Sequence, residues 1–129
     1  MAFPTGITSL PGYEMPVGDK LLQIFDRTGP ASYTQFSAGS GGDVLKTPSG
    51  GLNRGGFDRV LAGVDTTGQI AAYAILTLGG YGNAVPQVTL VYYSLVTASL
   101  GGQSQTAGTQ IAASTNLSTF SWRIEAWMV

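Results

Sequence analysis

The stretch FSWRIEAWM, residues 120–128, alternates strictly between two sets of side chains. Phe120, Trp122, Ile124, Ala126 and Met128 fall on one side of an extended chain, and Ser121, Arg123, Glu125 and Trp127 on the other. A period of two marks a half-buried β-strand. Both tryptophans of the chain lie here, one on each face. The first face would bury several large side chains, each contributing roughly 1.5–3 kcal/mol relative to exposure. The second face sets Trp127 beside two charged residues, and two readings of it stand. Either a neighbouring subunit covers the ring, or a β-bulge turns it into the same core.

Working back from this strand, segments rich in Val, Ile, Thr, Tyr and Phe read as further strands over 20–26, 32–37, 43–46, 58–64, 69–78 and 87–98. Glycine-containing turns separate them: TGPAS at 28–32, AGSGGD at 38–43, DTTGQ at 65–69 and GGYGN at 79–83. Ala71, Ala72 and Ala74 also favour helix, and the run is too short for periodicity to decide. Tyr92 and Tyr93 point to opposite faces, one of them into the core. Seven short strands at this spacing predict an all-β domain, an antiparallel β-sandwich or barrel over residues 19–129. Residues 1–18 contain Pro4, Pro11 and Pro16 and suit an extended N-terminal arm.

Length and composition agree with one domain. The 129 residues suffice for one sizeable core. Charged residues are only 10% of the chain, far below the usual quarter, and net charge is −1. That balance gives no electrostatic footprint for nucleic acid. Residues 1–16 lack a basic region and a long apolar run, so no signal peptide is expected. The stretch from Ala84 to Leu100 is too short and too polar to span a bilayer. The charges are unevenly placed: from Thr66 to Trp122, 57 residues carry none. Small soluble monomers keep charge on exposed faces. So long a charge-free half suggests self-association or assembly contact, the plainer reading being that Ser, Thr, Asn and Gln keep it in solution.

Catalytic chemistry has little to work with. The chain has no histidine and no cysteine, which removes imidazole bases, thiolate nucleophiles and the usual zinc ligands. No catalytic residue, metal or cofactor is expected. Asp58 and Asp65 are seven apart in a strand-like segment, which sends them to opposite faces and argues against a glycosidase pair. Asp65 is better read as capping the turn with Thr66, Thr67 and Gly68. SGGLNRGG at 49–56 lacks the Lys-Ser/Thr ending of a phosphate loop, so it reads as a connection with Arg54 at its tip. Asn116-Leu117-Ser118 matches the glycosylation triplet with no secretion signal before it. Arg27 beside Asp26, and Arg59 beside Asp58, read as solvated charges that alternation keeps from pairing with their neighbours.

The ending of the chain carries a resemblance. Gln110-Ile111-Ala112-Ala113-Ser114-Thr115-Asn116-Leu117-Ser118, followed by Trp122-Arg123-Ile124-Glu125-Ala126, resembles the close of small tailed-bacteriophage virion proteins. GGDVL at 41–45 and FDRVLAGV at 57–64 are similar to upstream elements of the same group. An acid is usual in that group where Gln110 stands here. The group is similar to capsid decoration (cement) proteins. The resemblance implies a non-enzymatic protein on the outer capsid surface of the virion. It would bind and stabilise the major capsid protein shell and self-associate as a homotrimer. The expected contact residues are Phe3, Ile7, Leu10, Tyr13 and Met15 on the arm, with Trp127 on the terminal strand. The alternative is a tail-fibre or spike domain that binds a cell-surface glycan, with Trp127, Tyr81 or Tyr13 as stacking platforms.

Overall fold

The computed structural model describes residues 7–18, 20–46, 56–76 and 87–128. Among them the secondary structure is β, in nine strands. The terminal strand β9 (Ser121–Met128) organises the molecule. It lies inside a four-stranded antiparallel sheet ordered β1-β2-β9-β4, with β1 at Ile7–Val17, β2 at Lys20–Thr28 and β4 at Phe57–Ala62. A second sheet, ordered β3-β6-β5, is built from Asp43–Lys46, Gln87–Ser94 and Ile70–Leu76. A small hairpin, β7 (Ala98–Leu100) with β8 (Gln103–Gln105), forms a separate two-stranded sheet whose Leu100 reaches the core.

The sheets share one core. Trp122, Ile124, Ala126 and Met128 of β9 are buried there, with Phe25 of β2 and Phe57 of β4. From the second sheet come Ile70, Val88, Leu90 and Tyr92, and from the loops Tyr33, Ile111 and Leu117. The Trp122 ring stacks on Tyr92, with centroids 4.3 Å apart, and Tyr33 tilts against the other side of the cluster at 5.5 Å from Tyr92. Trp122 Nε1–H donates to the Ile70 carbonyl at 3.0 Å, so the indole is buried without an orphaned polar atom. This one side chain ties the middle of the first sheet to the edge of the second.

The chain passes between sheets through the turn after β4. Val64 bridges Ala71, and Asp65 N–H donates to the Ile70 carbonyl. Asp65 holds this turn as expected. Its Oδ1 accepts from the N–H groups of Gln69 and Ile70 at 2.8 Å each, and its Oδ2 from the N–H and hydroxyl of Thr67. Burial opposes the carboxylate's charge, but the Thr67 hydroxyl and the backbone donors outweigh it and hold the carboxyl below its ordinary value.

Several elements differ from the sequence reading. Residues 32–37 form no regular strand; only an isolated bridge joins Ser37 to Ser40. Ala38, Gly39, Gly41 and Gly42 all have positive φ, which turns the chain out of any ladder. The segment is stitched instead to the loop before β9, through Tyr33 N–H to the Thr115 carbonyl and Ser114 N–H to the Tyr33 carbonyl. The alanine-rich stretch is strand β5, because each of its residues pairs with β6 and Ile70 and Ala72 enter the core. The strand expected over 87–98 breaks after Ser94, whose hydroxyl donates to the Val96 carbonyl. The hairpin at 98–105 was not anticipated; Gly101 and Gly102, both at positive φ, form its turn.

The arm is extended over Ile7–Val17, but it does not stand off from the domain. It is an edge strand on β2, paired at 7–9 and again at 14–17, with the register shifting between Ser9 and Glu14. Pro11 and Gly12 fall in that irregular interval, where an edge strand tolerates a missing ladder bond. The expected connection at 49–56 lies outside the described residues apart from Gly56, as does the turn at 79–83.

Candidate functional site

The residues expected to make contacts are brought together in part. Met15 of β1 pairs with Leu22 of β2, Leu22 pairs with Trp127 of β9, and Trp127 pairs with Arg59 of β4. These four residues form one row across the whole sheet. The next row runs Ile24, Glu125 and Leu61. Both rows lie on the face opposite the core, because they alternate with the buried Gln23, Phe25, Ala126, Ile124 and Val60. Met15 is 54% exposed and Leu61 42%, while Leu22, Ile24 and Trp127 are half-buried. Apolar side chains from four strands thus line one outer strip.

Trp127 settles the question raised by its position. Alternation holds through all of β9, so Trp127 stays on the outer face and Trp122 on the inner one. The irregularity sits on the neighbouring strand instead, between Phe57 and Arg59 of β4, directly opposite Met128 and Trp127. The Trp127 Nε1–H is buried with no hydrogen-bond partner among the described residues. A shielded donor without an acceptor is uncommon and costs roughly 1–3 kcal/mol. Leu22, the ring's own pairing partner on β2, is a residue that sequence reasoning did not single out. The pairing register that would have revealed it depends on which strand lies beside β9.

Of the other expected contact residues, Ile7 pairs with Arg27 on the backbone. Leu10 and Tyr13 fall in the irregular interval of β1. Phe3 lies outside the described residues, as does Tyr81.

The charged side chains are mostly committed to ion pairs. Arg123 donates to Asp26 on the outer face, Nε to Oδ1 at 3.0 Å, and Lys20 pairs with Asp58. Arg27 is not a solvated charge. It reaches from β2 to Asp43 at the start of β3, in a two-pronged pair with Nε to Oδ2 at 3.0 Å and Nη2 to Oδ1. The two side chains are only 12% and 5% exposed. Tyr92 O–H also donates to Asp43 Oδ2 at 2.5 Å. Burial opposes the charge on Arg27, yet Asp43 holds the guanidinium above its ordinary value. Burial, and then the negative charge of Asp43, push the Tyr92 phenol up. Burial likewise pushes Tyr33 up to about 12. This cluster clamps the two sheets at the side away from the β4–β5 turn. Among the described residues no group of three acidic side chains is placed to hold a metal ion.

The outer face of the second sheet is different. Val44 and Tyr73 are exposed there, and Tyr73 stacks on Tyr93 with centroids 5.4 Å apart and their hydroxyls 3.3 Å from each other. Most of this face comes from the charge-free half of the chain. The triplet at 116–118 is a local turn: Asn116 Oδ1 accepts from both the N–H and the hydroxyl of Ser118.

Comparison with protein-family models, with curated proteins and with solved structures finds no match.

Proposed function

We propose that this chain is a non-enzymatic capsid decoration (cement) protein of a tailed bacteriophage, which self-associates and binds the major capsid protein on the outside of the shell. The observation that carries this reading is the outer strip of Met15, Leu22, Ile24, Leu61 and Trp127 on the four-stranded sheet. Apolar residues in contiguous rows on an outer sheet face mark protein contact surfaces. Tryptophan is a frequent centre of such contacts. The mechanism is mechanical: burying this strip against a neighbour adds binding energy, and repetition over a symmetric shell multiplies it. The acids Asp26, Asp43, Asp58 and Asp65 all serve ion pairs or a turn, which fits a structural role.

Binding to undecorated shells of the encoding phage tests the proposal. The protein should cosediment with shells, and Trp127→Ala with Met15→Ser should weaken that binding at unchanged fold. Free passage of the wild-type protein past the shells would reject it.

A second reading has one observation of its own. The stacked rings of exposed Tyr73 and half-buried Tyr93 could serve as a platform for a sugar in a tail-fibre or spike domain. Trp127 suits that role poorly, because its ring edge is buried. Glycan-array binding that is lost on Tyr73→Ala would favour this reading.

A further inference from the structure

We infer that the outer face of the four-stranded sheet docks a second copy of this chain across a two-fold axis, with each Arg59 against the partner's Glu125. The inference rests on reading that face as a protein contact, and it names the occupant.

The argument is one of charge. Asp26 and Arg123 neutralise each other on this face, and Lys20 and Asp58 pair beside it. Arg59 and Glu125 are both exposed, and neither has an ion-pair partner among the described residues. They lie on adjacent strands but on a diagonal, since Arg59 pairs with Trp127 and Leu61 with Glu125. Strand geometry puts their Cα atoms about 8 Å apart. The face therefore offers one positive and one negative charge with apolar residues between and beside them. Such a surface complements itself. A two-fold operation exchanges the contacts of residues i and j, so a single unsatisfied pair becomes two ion pairs.

The same operation accounts for the apolar residues. An axis running obliquely between β4 and β9, through the midpoint of Arg59 and Glu125, brings the two copies of Leu61 together. It also brings the two copies of Trp127 together, since Trp127 and Leu61 occupy the other diagonal of the same four positions, and sets each Leu22 beside the partner's Trp127. The strands of the two copies then cross steeply, a recognised mode of sheet packing. A two-fold pair built on this face is a dimer, in place of the trimer that the family resemblance implies.

A charge-swap series on the full chain tests this, read by sedimentation equilibrium at micromolar protein. The wild type should have twice the 13.3 kDa chain mass. Arg59→Glu and Glu125→Arg, each alone, should weaken the dimer by about tenfold or more, and the double exchange should restore it. Circular dichroism of each variant establishes that it folds. A folded monomer, a trimeric mass, single reversals without effect, or a double exchange without rescue would each overturn the inference. Shell cosedimentation of the same proteins keeps the two readings apart. A dimer that rescues as described but ignores shells leaves the inference standing and removes the capsid role. A shell-binding protein that stays monomeric does the reverse.

Discussion

Replacing Arg27 by Met should destabilise the domain more than any other change at a charged residue. Arg27 joins the two sheets through Asp43, and both side chains are nearly shielded from water, at 12% and 5% exposure. Met keeps the aliphatic stem and removes the guanidinium. Asp43 would then retain the Tyr92 hydroxyl as a donor but lose both of its charge-assisted bonds. Breaking a buried pair by removing one partner costs about 3–5 kcal/mol, because the remaining charge stays desolvated. Asp43→Asn should cost less, since the amide still accepts from Arg27 and Tyr92 and the charge left behind is on Arg27, the less buried of the two. The double variant should be more stable than the sum of the two losses, the signature of direct coupling. Urea unfolding followed by tryptophan fluorescence measures all three, and Trp122 beside Tyr92 is a local reporter. An Arg27→Met protein within about 1 kcal/mol of wild type, the range of an ordinary surface change, would refute the assignment of a shielded inter-sheet clamp.

Three further outcomes follow from particular contacts. Trp122→Ala should cost about 3–5 kcal/mol, because it empties a fully buried site and removes one of the two donors to the Ile70 carbonyl, leaving the Asp65 N–H; urea melts measure it. Trp127→Ala should leave the isolated chain within about 1 kcal/mol while weakening self-association, measured by sedimentation beside the same melts. Asp65→Asn should destabilise at neutral pH. Asp65 has its carboxyl lowered in the folded state, so its contribution is present above the unfolded value of about 3.9 and is lost as pH falls through the folded one. The stability gap between wild type and Asp65→Asn should therefore close below about pH 4, as followed by thermal melts across that range.

The strands that bury one face were legible because their side chains alternate. The terminal strand shows this best: inner residues Trp122, Ile124 and Met128 are buried, and outer residues Arg123 and Glu125 are exposed. Tyr92 and Tyr93 divided between the two faces for the same reason. The stretch at 32–37 misled because Tyr33 and Phe36 look strand-like, whereas the left-handed turn at 38–42 governs the backbone. The hairpin at 98–105 was readable in retrospect from Gly101-Gly102, a two-residue turn with positive φ at both positions.

The long-range partners were not legible. Arg27 and Asp43 are separated by 16 residues, and nothing local connects them. Their pairing follows from β2 and β3 belonging to different sheets that close over one core. The same limit applies to the outer apolar strip. Met15 and Trp127 were singled out separately, but their common row with Leu22 and Arg59 depends on the order β1-β2-β9-β4. Strand order is a property of the whole chain. For the arm, the prolines pointed to an extended segment, and an edge position on β2 accommodates Pro11 and Pro16 with only part of the ladder formed.

The proposed role sets the number of copies in a particle. Quantitative mass spectrometry of purified virions of the encoding phage measures this chain against the major capsid protein. A decoration protein should be present at a copy number comparable with the shell subunit. A handful of copies per particle, or none, would contradict the account.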